Sequence, residues 1–349
     1  MTLPLAPMPL SPNQPHRFYS GGRAIAAFRG LPHAGDRLPE DWIGSTTPTG
    51  LDSTGLGLTR IDGRLLGEMI GEDPEGFLGP DHVARFGADP ALLVKLLAPD
   101  ERLLVHAHPS RAFATEHLGQ PYGKTEVWFA MPQSDPDAVL HVGFTSEVEA
   151  AQLLEWVSKQ QISEMLANMN ELRLAPGQHL YVPEGVPHSI GAGAFICELQ
   201  EPTDTSVILE WEGHDFDGRR DGHMGLGFER ALECVDRSAW DARRLADLRS
   251  DRSDAEVQAG VRTMFPARAD AFFRGQMVDT ASAATLAPAF SLLVVLEGEG
   301  TISTASGTLP VAAGDTYLVP YAAGAVDVSG NARILRCMPP DPHASEAAA

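Results

Sequence analysis

Residues 103–113 read LLVHAHPSRAF, which places His106 and His108 one residue apart in an apolar run. On a β-strand successive side chains alternate faces, so both imidazoles point to one side and Ala107 to the other. Two converging imidazoles are costly to bury unless their lone pairs are occupied. A shared proton network satisfies them, and so does a metal ion. The stretch by itself fits either.

A third imidazole ends the stretch PGQHLYVPEGVPH. Its spacing is a Pro176-Gly177 turn, five residues, Pro183, one residue, Gly185, two residues and His188. Between the two histidine-bearing stretches lies GKTEVWFAM, with Lys124 two residues before Glu126, so a strand there turns both to the same side. An ammonium in that position stabilises a developing oxyanion or, with a depressed pKa, moves a proton. A solvated lysine on a strand edge is the plainer alternative. Lys95, in the run LLVKLL, is costly to bury without a partner. Glu198, Glu201 and Asp204 follow the last histidine as candidate bases or hydroxyl acceptors, and read equally well as turn or edge acids.

The elements that must hold these groups read mainly as β-structure. Short helices broken by Gly and Pro are expected between 65 and 87. Strand-like runs follow: ALLVKLLA, ERLLVHAHP, TEVWFAMP and AVLHVGF. Residues 146–170 carry helical periodicity, and short strands resume up to about 212. A helical connector then leads into a second all-β region with turn signals every eight to ten residues. The expected organisation is two β-barrels with helical insertions. An N-terminal barrel covers 1–225, a helical connector 226–261, a second barrel 262–340 and a disordered tail 341–349. APGQHLYVPEGVPH (175–188) and AAGDTYLVPYAAGA (312–325) share a turn glycine, a strand and a proline at matching offsets, as an internal repeat does. In the second copy Ala325 stands where the first has His188.

Composition narrows the partners. The chain has 349 residues, too many for one ordinary core. Its net charge of −21 repels a phosphate backbone or an anionic membrane surface, so neither nucleic acid nor membrane is expected as a partner. No run approaches the roughly eighteen apolar residues of a membrane span. The proline-rich N-terminus lacks the pattern of a secretory signal. Three widely spaced cysteines, Cys197, Cys234 and Cys337, fit a reducing cytoplasm and offer no thiolate metal site.

Taken together, the His-x-His pair, Glu126 and the Pro-Gly…Pro-x-Gly-x-x-His spacing resemble the paired metal motifs of the cupin superfamily. The runs LVKLLAPDERLLVHAHP, GKTEVW, LYVPEGVPHSIGAG and ELQEPTDTS are more closely similar to the type I mannose-6-phosphate isomerases. The likeness covers most of residues 16–240 and, more weakly, the C-terminal barrel. It implies a bicupin fold and a zinc-dependent interconversion of mannose 6-phosphate and fructose 6-phosphate, or of a related free sugar, through an enediol. It also implies metal ligands at His106, His108, Glu126 and His188, with Lys95 and Lys124 lining the site. Glu198 and Asp204 complete the candidate catalytic set. Trp42 and Ser45, from the partly kept element DWIGS, are candidate substrate contacts, as are Arg111, Glu201, Arg219 and Arg220.

The chain departs from the family pattern at three places. His106 stands where the pattern has glutamine, Ile43 where it has an acid, and Val207 or Ile208 where it has an arginine. A three-histidine, one-glutamate shell accommodates Zn2+, and also Mn2+, Fe2+ or Ni2+. The expected partner is a small sugar or sugar phosphate, with the chain acting as a monomer or homodimer. The rival readings are another cupin metalloenzyme, an oxygenase or decarboxylase, and a sugar-binding protein without turnover.

Overall fold

The computed structural model describes residues 6–50, 55–249 and 256–344. The chain is mainly β, with two five-stranded antiparallel sheets between residues 40 and 208 and a nine-stranded sheet formed largely after residue 256.

The first sheet runs in the order His179–Val182, Glu126–Ala130, Ile196–Gln200, Leu93–Leu97, Glu40–Ile43. Every residue of its five strands is buried, because both faces are covered. Alternation therefore decides which side each residue serves. Val94, Leu96, Cys197 and Leu199 turn outward into a core shared with Leu292, Val294, Leu335 and Cys337 of the nine-stranded sheet. Burying one such aliphatic side chain contributes about 1.5–3 kcal/mol, so this shared core is a strong joint between the two halves. The register aligns Trp42 with Lys95, Lys95 with Glu198, and Glu198 with Trp128, so these polar residues share the opposite, inward face.

The second sheet, in the order Val207–Ile208, His106–Ala107, His188–Ser189, Leu140–Phe144, Met169–Leu172, closes over that face. Helices Ala150–Lys159 and Ile162–Ala167 cover its outer side. Leu153, Trp156 and Val157 recur at helical spacing and pack with Ala107 and Val207. With Ala107 committed outward, His106 is left facing in. Between 65 and 87 the chain forms the helices Leu66–Glu72, Pro74–Leu78 and Pro80–Phe86, the latter two opened by proline at the first helical position.

The repeat seen in sequence has a matching course in space. Strands His179–Val182 and Thr316–Val319 each follow a glycine of positive φ, +84° at Gly177 and +92° at Gly314, and each ends at a proline.

Three expected boundaries shift. Met8–Pro9 pairs with Thr316–Val319, so the chain start adds a strand to the C-terminal sheet rather than to the N-terminal barrel. The expected helical connector 226–261 is helical only in short pieces. It holds the short pieces Phe228–Ala231, Leu232–Cys234 and Ala242–Asp247, and a strand already begins at Glu256. Residues 236–240 interrupt it, because the Asp236 and Trp240 amides bond to the carbonyls of Gly185 and Phe144. The tail is held through Ala344, where Arg85 donates to the Pro342 and Ala344 carbonyls; 345–349 lie outside the described residues.

Candidate metal centre and cleft

His106 and His188 are direct partners across two antiparallel strands, and His108 follows where the strand ends. Each imidazole is turned by a backbone carbonyl. Nδ1 of His106 bonds to Leu104 O at 2.9 Å, that of His108 to Thr205 O at 3.1 Å, and that of His188 to Val186 O at 2.8 Å. With Nδ1 donating, each Nε2 carries the free lone pair. The ligating atoms of the three rings lie within 4.8 Å of one another. Gly185, at φ +82°, donates its amide to His108 O at 2.8 Å and so ties the two histidine-bearing stretches together.

Glu126 enters from the facing sheet. Its Oε1 lies 3.3 Å from His188 Nε2 and its Oε2 3.4 Å from His108 Nε2. Both Glu126 Oε2 and His188 Nε2 are buried without a hydrogen-bond partner. Leaving such atoms unsatisfied is costly, and a cation between them removes that cost. The donor set therefore fits a divalent metal ion. Burial holds all three imidazoles below their usual pKa, His108 down to about 3 with help from Lys124. Burial alone would raise the Glu126 carboxyl, but Lys124 and the histidines hold it well below the carboxylate range.

A cleft opens from this cluster past His106, Lys124, Glu198, Lys95, Asp204 and Arg17. Lys124 Nζ lies 3.1 Å from His108 Nε2 and 3.4 Å from Glu126 Oε2. Lys95 Nζ sits 3.7 Å from Glu198, and 3.8 Å from both Glu40 and Asp204, over the Trp42 ring at 4.6 Å. Burial, reinforced by Glu126, pushes the Glu198 carboxyl up to about 7. Asp204 stays ionised, because Arg17 and Lys95 outweigh its burial.

Other expected contacts are placed away from the cleft. Trp42 is fully buried beneath Lys95 and donates to Glu40 at 2.5 Å. Ser45 is buried, its hydroxyl spent on Thr47 O. Arg111 binds Glu201 at 2.5 Å and lies over the Phe272 ring, so this pair joins the two halves of the chain. Arg219 and Arg220 sit on the short helix Gly218–Asp221, exposed, with Arg220 paired to Asp221.

Arg17, Tyr19 and Glu40 were not anticipated. Arg17 reaches Glu40 at 2.9 Å and Asp204 at 3.1 Å, and Tyr19 donates a short hydrogen bond to Glu40. Glu40 had one legible signal, its position two residues before Trp42 on an inward-facing strand. Arg17 had none, since it comes from an irregular segment far from any motif. Ile43, at the acid's position in the family pattern, packs in the apolar core, and Ile208 lines the cleft at one of the arginine's two candidate positions.

Comparison with known proteins bears on the fold and on the sequence as a whole. Residues 261–339 match the model of the mannose-6-phosphate isomerase cupin domain. The chain is 26% identical to mannose-6-phosphate isomerase ManA of Bacillus subtilis over 320 residues, 90% of this chain and 93% of that one. It is 27% identical to the mannose-6-phosphate isomerase of Streptococcus mutans over 230 residues, 64% of this chain and 66% of that one. In fold it is similar to the crystal structure of the Bacillus subtilis mannose 6-phosphate isomerase, at a TM-score of 0.74 and 22% identity, covering 95% and 99% of the two chains. The apo mannose 6-phosphate isomerase of Salmonella typhimurium gives 0.71 at 15%, covering 96% and 99%. Residues 261–339 thus match the cupin-domain model of the mannose-6-phosphate isomerases, and over most of its length the chain is similar to such enzymes in sequence and in fold.

Proposed function

We propose that this chain is a metal-dependent aldose–ketose isomerase of the mannose–fructose type, working in the cleft between the two five-stranded sheets. The architecture is read as a bicupin. The N-terminal barrel carries the chemistry, and the C-terminal barrel, with Ala325 at the ligand position and no histidine in 290–328, carries none. The observation that supports the reading most is the convergence of three carbonyl-anchored imidazoles and Glu126 beside a buried glutamate of raised pKa.

The reaction moves a proton between C1 and C2 through an enediol and needs an electrophile at the oxygens and a base over the carbon edge. A divalent ion held by His106, His108, His188 and Glu126 supplies Lewis acidity at the sugar oxygens, Zn2+ first among Zn2+, Mn2+, Fe2+ and Ni2+. Glu198, poised near neutrality at the cleft wall, takes and returns the proton. Lys124 sits where an ammonium stabilises negative charge growing on an oxygen. Lys95, Asp204 and Arg17 form a pre-paired polar wall that orients hydroxyl groups.

The test is conversion of an aldose to its ketose by metal-loaded protein, followed by NMR in D2O. Conversion with deuterium entering at the transferred position, abolished by a chelator and restored by metal, is the expected result. Oxygen uptake or carbon dioxide release without aldose–ketose conversion overturns the reading.

A further inference from the structure

Among the described residues, the cations at the cleft are each engaged by neighbouring groups, and none is free for a dianion. Arg17, Lys95 and Lys124 are the ones that line it. Arg17 is held between Glu40 and Asp204, with its side chain 12% exposed. Lys95 is enclosed by Glu40, Glu198 and Asp204 and is 4% exposed. Lys124 lies against the candidate metal ligands Glu126 and His108, at 3.4 and 3.1 Å, and is already assigned to the charge that grows on a sugar oxygen at that centre.

The vestibule outside this cleft is no richer. It continues past Phe18, Gln120, Ser206, Ile208, Phe216 and Asp221, where, among the described residues, Arg17 is again the cation and Asp204 and Asp221 are the acids. Arg219 and Arg220 line neither space, and Arg111 is bound to Glu201 beneath Phe272's half of the molecule. The nearby helix Gly218–Asp221 has four residues and is capped by Asp217, so its end offers nothing to an anion. A phosphoryl group carries nearly two negative charges and is bound by unpaired cations or convergent N–H donors. Seating one here breaks a buried ion pair or sets phosphate against Asp204 and Asp221, within a chain of net charge −21.

A neutral sugar meets none of these penalties. Paired acids and ammonium groups present donors and acceptors side by side, which suits hydroxyl groups that both give and accept hydrogen bonds. Phe18, packed against Phe216 at 5.2 Å between ring centroids, offers an apolar surface for the C–H face of a sugar ring. We infer that this site takes an unphosphorylated aldose or ketose, with Ile208, Asp204 and Asp221 setting the preference against a terminal phosphate.

This inference rests on the isomerase reading above, and one set of assays separates the two. Metal-loaded enzyme is assayed on mannose, lyxose and xylose, and on mannose 6-phosphate and glucose 6-phosphate. The expected result is a kcat/KM at least about tenfold higher for a free sugar than for either phosphate. Two variants probe the cause. Ile208→Arg puts a guanidinium on the cleft wall, and Asp221→Asn removes an acid from the vestibule; each is expected to shift the phosphate-to-free-sugar ratio toward phosphate, Ile208→Arg by about tenfold or more. Wild-type preference for a sugar phosphate overturns the inference and leaves the isomerase standing. A free-sugar preference that neither folded variant alters overturns the assignment of Ile208 and Asp221. Turnover of none of the five sugars removes the isomerase reading and this inference with it.

Discussion

Lys124 Nζ lies 3.1 Å from His108 Nε2, the ring nitrogen left free when Nδ1 is held by Thr205 O. An ammonium on this lone pair would compete with an ion at the proposed centre and repel it. Lys124→Met is therefore expected to bind Zn2+ more tightly, by about tenfold for each 1.4 kcal/mol of repulsion relieved, while kcat falls. Competition against a chromogenic chelator measures the first effect and steady-state assay the second. Weaker metal binding in a folded Lys124→Met protein contradicts this role.

Glu198 is expected to show opposite effects on activity and stability. Its folded pKa, pushed up to about 7 by burial and Glu126, lies above the ordinary glutamate value. Between those values the native state holds a proton that the unfolded chain has released, so its contribution to stability falls as pH rises from 4.5 to 7. In metal-free protein, Glu198→Gln is expected to melt higher than wild type at pH 8, with the difference shrinking toward pH 4.5. The same variant is expected to lose about 100- to 10,000-fold in kcat. A variant of normal activity refutes the role of Glu198 as proton carrier.

Acid should release the metal late. The three imidazoles have lowered pKa values, His108 about 3, so the native site resists protonation below the ordinary histidine range. The unfolded chain takes protons on its histidines from about pH 6.5 downward. Stability therefore falls as pH drops from 6.5 toward 3, and metal release is expected to coincide with loss of near-UV circular dichroism. Release centred near pH 6.5 from a fully folded protein is the contrary outcome.

Arg111 is expected to matter for the fold and not for turnover. Glu201 is buried, its Oε1 on Arg111 and its Oε2 accepting from the Thr125 amide. Arg111→Met leaves that carboxylate without its cation, a change costing about 3–5 kcal/mol when a buried pair is broken from one side. Thermal denaturation should show a lower Tm with KM little changed. A raised KM at unchanged Tm would return Arg111 to the substrate.

What was legible in the sequence is what strand alternation and short motifs encode. His106, His108, Glu126 and His188 sit within three local stretches, and residue parity alone sets Lys124 with Glu126 and turns Ala107 away from His106. The paired wall of Arg17, Glu40, Lys95, Glu198 and Asp204 was only half visible. Lys95 announced itself as a charge among aliphatics. Arg17 did not, because its partners lie 23 and 187 residues away and are met only after the sheets close. The pairing of Met8–Pro9 with a strand near residue 318 is hidden for the same reason. Arg219 and Arg220 were read as near the site from their place in the chain, and the short helix that carries them turns them to solvent.

Metal titration of chelator-stripped protein tests the four-ligand centre and its link to turnover together. Isomerase activity on the preferred sugar should rise linearly with added Zn2+ or Mn2+ and break at one ion per chain, with no break and no activity in folded His188→Ala. Full activity before any metal is added, or an unchanged break at one ion per chain in folded His108→Ala/His188→Ala, would contradict a catalytic metal held by His106, His108, Glu126 and His188.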